Sequence, residues 1–251
     1  MLISNDEPGV PLSGRIRPLG TRTTLLRPGL TPYQMAWESQ QRMAAAVRDG
    51  GKPALILLEH PPTYTLGARG NTEHLLLSEQ AFRARGAEVI RSDRGGDVTF
   101  HGPGQIVAYP ILNLRAYGQG PVWYVRSLEA IVIDVLARFG IVAARSAGRP
   151  GVWVGDAKIA AIGVRVSRGV TTHGFALNVN TDLAYFQHIV PCGLADASVT
   201  SMRQLAGEEF DLREVEDEII DAFARHFDLE FEPGSAAFIE GQQLTGAASG
   251  R

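Results

Sequence analysis

Between residues 152 and 179 the chain carries three β-rich runs, 152–154, 158–166 and 170–179, separated only by Gly155-Asp156 and Ser167-Arg168-Gly169. Connections this short join antiparallel neighbours, because a parallel crossover needs a dozen residues or more. The meander lies between two stretches of helical period. Residues 122–139 set Leu128, Ile131, Val132, Val135 and Phe139 at three-and-four spacing before Gly140, and residues 211–227 repeat the pattern with Val215, Ile219, Ile220, Phe223 and Phe227. Thr31-Pro32 opens a further helix over 32–48 that Gly50-Gly51 stops, and Ser78 opens a short one closed by Gly86. Residues 54–59, 88–91 and 106–112 read as strands. The expectation is an α+β fold in which helices cover one face of a mainly antiparallel sheet. It occupies residues 15–233 as a single domain, with flexible ends at 1–14 and 234–251 that lack periodicity.

Composition narrows the function class. The 251 residues are 45% hydrophobic and 20% charged, with a formal net charge of −3, which disfavours binding nucleic acid by bulk positive charge. No apolar run is long enough to span a membrane or resembles a secretory leader, so no membrane role is expected and the protein is read as cytoplasmic. One cysteine, Cys192, rules out an internal disulfide, and six histidines without metal-ligand spacing leave no metal site to expect.

The chemistry concentrates in three places. Residues 94–110, RGGDVTFHGPGQIVAYP, crowd Gly95, Gly96, Gly102 and Gly104 together with Arg94, Asp97, Thr99, His101 and Gln105. Glycines at this density let the backbone turn tightly and approach a bound group. Cys192 sits in Pro191-Cys192-Gly193, where proline stiffens the approach and glycine leaves space beside the sulfur. A lone cysteine is ordinarily a small buried hydrophobe, and a nucleophilic one needs a base or a cation nearby.

Lys158 is the candidate for that partner. It is one of two lysines in the chain, lies among small and apolar residues in GDAKIAAIG, and by simple alternation shares a face with Ala160, Ile162 and Val164. An inward face would desolvate the ammonium, lower its pKa and suit it to general base work. His101 and His173 both precede glycine, and each reads equally as a substrate-orienting group or a satisfied structural histidine.

Four segments in order, RGGDVTFHGPGQIVAYPIL, GDAKIAAIGVRV, THGFALNV and PCGL, resemble the lipoyl(octanoyl) transferases of lipoate biosynthesis. The similarity runs from about Leu55 to Ser201 and excludes both ends of the chain. It implies a fold like the catalytic domain of biotin and lipoate protein ligases and a reaction that uses neither ATP nor a cofactor. The donor implied is octanoyl-acyl carrier protein. The acceptors implied are a lysine on the lipoyl domains of 2-oxoacid dehydrogenases and one on the glycine-cleavage H protein.

Carried over residue by residue, the resemblance places the acyl-accepting nucleophile on Cys192 and its general acid/base on Lys158. Substrate contacts fall on Arg94, Gly95, Gly96, Asp97, Val98, Thr99, Phe100 and His101, on Ala161, Ile162 and Gly163, and on Gly174, Phe175 and Ala176. Phe100 departs mildly from the family pattern, in which tyrosine is frequent. Arg69, Arg145 and Arg149 are candidates to face an acidic carrier protein. Three rival readings remain: an ATP-dependent ligase of the same fold, a transferase between carrier domains, and a non-catalytic module that binds lipoylated domains. Cys192 in Pro-Cys-Gly discriminates against the first, and Lys158 with Cys192 against the last.

Overall fold

The computed structural model describes residues 20–190 and 198–235. Residues 1–14, nearly all of 234–251, and Cys192 lie outside the described residues.

A nine-stranded sheet forms the centre. In chain order its strands are β1 (Thr21–Leu30), β2 (Ala54–Glu59), β6 (Gln105–Ile111), β7 (Ala144–Ser146), β8 (Arg149–Val154), β9 (Ala157–Ser167), β10 (Val170–Asn178), β11 (Ser198–Val199) and β12 (Leu229–Pro233). The spatial order is β12-β1-β2-β6-β10-β9-β8-β7, with β11 also pairing β9. Every pair from β2 to β7 along this order is antiparallel, whereas β12 with β1, β1 with β2 and β11 with β9 are parallel. The expected meander is therefore β8-β9-β10, with turns where the glycines stand.

The alternation of each strand sorts residues between two cores. Leu55, Leu57, Ile106, Ala108, Phe175 and Leu177 point to one face. There they meet α3 (Pro121–Arg138) and α5 (Leu212–Phe227), whose buried Leu128, Ile131, Val135, Ile219 and Phe223 occupy single helical stripes. Pro121 fits the first turn of α3, and the Asp211 carboxylate caps α5 by accepting from Arg213 N–H at 2.8 Å. Ile56, Leu58, Val107, Tyr109 and Ile111 point to the other face, where α1 (Tyr33–Arg48) lays down Ala36, Met43, Ala44 and Val47. Helices thus cover both faces, a departure from the one-sided cover expected. The polar Gln34, Glu38 and Arg42 mark the outer side of α1, while its inner residues complete the second core.

The rest of that second face is closed by a small separate sheet, of which the sequence reading gives only the strand over 88–91 and the short helix opened by Ser78. It consists of β3 (Thr63–Leu66), β4 (Glu88–Arg91) and β5 (Val98–His101) in the order β4-β3-β5, with α2 (Glu79–Ala84) as the crossover between its parallel pair. Its own core holds Tyr64, Leu66, Phe82, Val98, Phe100 and Ile189. The loop from β4 to β5 carries the glycine cluster and meets the large sheet where Gly95 N–H donates to Val164 O at 3.1 Å.

Backbones approach so closely at the centre of the large sheet that a side chain has no room. A Cβ on Gly174 would sit 2.1 Å from Ala108 O. Gly174→Ala should lower stability by about 2 kcal/mol or more, read as a shift in the urea midpoint. Gly120→Ser, at the open start of α3 where nothing lies within 4 Å of an added Cβ, should change it by only a few tenths of a kcal/mol. Equal midpoints for the two variants would contradict this packing.

Candidate active site

A cavity of about 590 Å³ lies between the second face of the large sheet and the glycine loop, within the size range of small-ligand sites. Its floor is small. Ala161 pairs with Ala176 and Gly163 with Gly174 across β9 and β10, so two successive rungs on this face present almost no side chain. Its roof is the loop of Gly95 and Gly96, docked on β9 without Cβ atoms: one on Gly163 would meet Gly95 O at 2.9 Å, and one on Gly95 would meet Val164 O at 2.8 Å.

Lys158 lines this cavity for a reason that simple alternation misses. The register of β8 with β9 shifts between Val152↔Ala160 and Trp153↔Lys158, so one extra residue bulges from β9. Ile159 and Ala160 consequently both enter the core beneath α3 and α5, and Ile162 and Val164 pack against it. Lys158 falls instead on the cavity face with Ala161 and Gly163, which corrects the parity expected from sequence. Gly151, at φ +124, makes this possible: a Cβ there would lie 3.4 Å from the Lys158 Cε and 2.7 Å from Ala160 O. The Lys158 Nζ lies 4.9 Å from the centre of the Trp153 ring.

The remaining expected residues divide. Gly95, Gly96, Val98, Thr99 and His101 line the cavity, as do Ala161, Gly163, Gly174 and Ala176. Ile162 and Phe175 border it while their side chains join the core under the helices. Phe100 is buried away from it, stacked on Tyr185 with ring centres 4.5 Å apart in the core of the small sheet.

Arg94 and Asp97 border the cavity but spend their polar groups on the protein. The Arg94 guanidinium is buried and donates to Thr65 O at 2.6 Å, Asp97 O at 2.7 Å, Gly95 O at 3.0 Å and Thr65 Oγ1 at 3.0 Å. The Asp97 carboxylate accepts from Asn71 N–H at 3.1 Å and meets His74 Nδ1 at 2.5 Å.

Sequence reasoning singled out His101 and His173 but not Tyr33 and Tyr109, which join them at the inner end of the cavity. Behind them His60 donates Nδ1–H to Thr31 O at 2.6 Å, and its Nε2 accepts from Tyr109 O–H at 2.7 Å. Burial lowers the His60 pKa to about 4, and burial with the neighbouring His60 and Arg94 charges places His101 well below its ordinary value. His101 donates Nδ1–H to Gln105 Oε1 at 2.8 Å, because the Gln105 amide nitrogen is committed to Phe100 O and Asn178 Oδ1. His173, at φ +57, donates Nε2–H to Asp93 at 2.7 Å, and burial together with the Arg94 and Arg165 charges lowers its pKa to about 3. Burial favours the neutral form of these imidazoles, which lets an uncharged ligand lie against them.

A cavity with a small-residue floor and a lining of tyrosines, histidines and one lysine suits an extended apolar chain with a reactive head. Residues 32–224 match the family described as Lipoyl protein ligase A/B catalytic domain. The chain belongs to that family.

Within it, the similarity is to octanoyltransferases. The one from Gloeobacter violaceus is 49% identical over 216 residues, which are 85% of this chain and 94% of that protein. The one from Solibacter usitatus is 50% identical over 209 residues, 83% of this chain and 94% of that protein. Among solved structures, lipoate-protein ligase A bound with ATP matches with a TM-score of 0.69 at 16% identity, covering 89% of this chain and 94% of the other. A bipartite lipoate protein ligase from Thermoplasma acidophilum matches with a TM-score of 0.67 at 18% identity, covering 89% and 91%. At these identities the structures show a shared fold, and the octanoyltransferase kinship rests on the sequences.

Two tests follow from the geometry. Arg94→Lys keeps the charge but not the planar fork that satisfies three carbonyls, so it should cost roughly 2–4 kcal/mol in thermal or urea unfolding. The buried histidines set a pH dependence. His60 has a folded pKa of about 4 against 6.5, so between those values the unfolded chain binds a proton that the folded one does not. Its contribution is complete above pH 6.5, declines as pH falls toward 4, and changes no further below that. His60 alone should therefore remove about 2 kcal/mol of stability between pH 7 and pH 5. A flat urea midpoint across that interval would contradict a neutral buried His60.

Proposed function

We propose that this octanoyltransferase-family enzyme carries an octanoyl group from acyl carrier protein to a lysine of lipoyl domains and of the glycine-cleavage H protein, by way of a thioester on Cys192. The observation that carries the reading is how the chain flanking that cysteine is tied. Two residues before it, Val190 N–H donates to His74 O at 2.9 Å, and the His74 ring is bonded to Asp97 of the glycine loop. Six residues after it begins β11, where Val199 pairs Lys158 and Thr200 N–H donates to Lys158 O at 2.9 Å. The described residues before it are thus tied, through His74, to the glycine loop, and those after it to Lys158, which supports the pairing of Cys192 with that lysine.

In the first half-reaction Lys158 accepts the Cys192 thiol proton and the thiolate attacks the carrier thioester. The tetrahedral centre collapses with cleavage of the carbon–sulfur bond to the pantetheine arm, which leaves as a thiol with the proton returned by Lys158. The octanoyl chain extends along the Ala161/Ala176 and Gly163/Gly174 rungs toward the neutral Tyr33 and His101 end. Backbone N–H donors beside the small residues hold the oxyanion, each worth ~3 kcal/mol.

In the second half-reaction Lys158 takes a proton from the incoming lysine ammonium. The free amine attacks the acyl-enzyme, and the Cys192 thiolate departs and is reprotonated as the amide forms. Exchange between thioesters is nearly neutral and amide formation from a thioester is downhill, so no nucleotide enters. Arg145 is paired with the buried Glu129 carboxylate, with Nε at 3.0 Å. Arg69 and Arg149 line the cavity and have no carboxylate partner among the described residues, which suits them to an acidic carrier surface.

Incubation with octanoyl-acyl carrier protein and no ATP should add one octanoyl group to the protein, located on Cys192 by mass spectrometry. Cys192→Ser should form no thioester, and Lys158→Met should slow its formation by about 10²–10⁴. Transfer that requires ATP, or a Cys192→Ser enzyme working at full rate, would favour the ligase reading.

A further inference from the structure

Lys158 carries the proposed proton transfers, yet it is a flexible four-carbon stem at the end of a cavity. Precise proton transfer needs the ammonium held within a fraction of an ångström of its working position. The surroundings supply an unusual support. Trp153 is the direct cross-strand partner of Lys158, at the register step where the bulge turns the lysine toward the cavity. Its ring is almost fully buried, 2% exposed, and the Lys158 Nζ lies 4.9 Å from the ring centre.

The indole is itself fixed on two sides. Trp153 Nε1–H donates to Arg149 O at 3.2 Å, and the Arg149 guanidinium lies 4.3 Å from the same ring centre. Arg149 is in turn held by its Nε–H to Ser146 Oγ at 2.9 Å. Gly151, between Arg149 and Trp153 on β8, keeps the path of the lysine stem clear of any Cβ. Burial alone would be served by a leucine or an isoleucine. A buried indole locked by its own N–H, with a cation on its ring and the lysine ammonium within reach of its π face, is a restraint on where that ammonium sits.

We propose that Trp153 is the positioning residue for Lys158, holding the ammonium by a cation–π contact in the place from which it serves Cys192. The proposal rests on the Cys192–Lys158 reading. It does not require Trp153 to touch substrate, and it assigns to Arg149 the role of locking the indole.

Because Cys192 is the single cysteine of the chain, the rate of its alkylation by iodoacetamide reports thiolate delivery without any acyl substrate. Trp153→Leu should lower that rate about tenfold to a hundredfold, and Trp153→Phe, which keeps an aromatic face, should stay within about threefold of the wild type. The deciding measurement is the same substitution in a Lys158→Met background, where Trp153→Leu should produce no further loss because there is no ammonium left to hold. An equal loss in both backgrounds would show that the indole acts on general structure and would overturn the proposal, as would a Trp153→Leu protein that alkylates at the wild-type rate. If Lys158→Met itself leaves the rate unchanged, the cysteine–lysine reading fails first and the role of Trp153 falls with it. Urea midpoints of the Leu and Phe variants accompany the rates, so that a destabilised fold is told apart from a displaced lysine.

Discussion

The site depends on backbone meeting backbone where the glycine loop lands on β9. Gly95 N–H reaches Val164 O directly, and Gly163 faces Gly95 O at a distance that excludes any Cβ. Two chains can come this close only where glycine stands on both, and the reward is a roof held to the floor by main-chain hydrogen bonds rather than by side chains that would fill the space between. The Arg94 guanidinium serves the same contact from inside the loop. By donating to the loop carbonyls of Gly95 and Asp97 and to Thr65 O on β3, it ties the loop to the small sheet. A charge with this many acceptors behaves as a structural strut, which is why an arginine in a ligand-lining loop need not be a ligand contact.

At the inner end of the cavity, polar groups hold one another rather than the protein's charges. Tyrosine and histidine hold one another there: Tyr109 donates to His60, His60 donates to the chain entering α1, and His101 is held by Gln105. Gln105 passes the restraint through Asn178 to Thr200 O, and Thr200 N–H bonds Lys158 O. One hydrogen-bonded path therefore runs from the inner wall to the main chain of the proposed base. Each member is buried and partnered, the condition under which such networks add rigidity instead of cost.

How much of this can be read from sequence follows the range of the interactions. The helices over 32–48, 122–139 and 211–227 and the β8-β9-β10 meander are written in local periodicity, and each forms within a residue of the expected ends except β8, which begins at Arg149, three residues before the expected start. The strands β1, β3, β5, β7 and β12 are short, polar or at a sheet edge, and nothing in Thr21–Leu30 or Thr63–Leu66 announces a partner dozens of residues away. The small sheet, and with it the second covered face, is invisible for that reason. Phe100 shows the limit of transfer by motif: it sits between two cavity-lining residues, but alternation on β5 turns it into the small-sheet core. The glycines of residues 94–110 were legible as a close approach, although what Gly95 approaches, the backbone of β9, was not.

Lys158 was legible as an exceptional residue but not in its direction, and the reason is a single inserted residue. Counting by twos along 158–166 assigns the lysine to the helix-covered core, where a charge without a partner would be costly. The bulge at Ile159 and Ala160 reverses that assignment for Lys158 alone and leaves the remainder of β9 in step with β10. Its backbone is then held from both sides, by Trp153 of β8 and by Val199 of β11, which takes up pairing with β9 where β10 ends at Leu177↔Ala160. A main chain fixed on both edges moves little, so the only freedom left to Lys158 is that of its stem, and the indole opposite is placed to remove it. The irregularity in the strand and the aromatic partner beside it are two parts of one device, since a lysine in regular alternation would have pointed away from both the cavity and the ring.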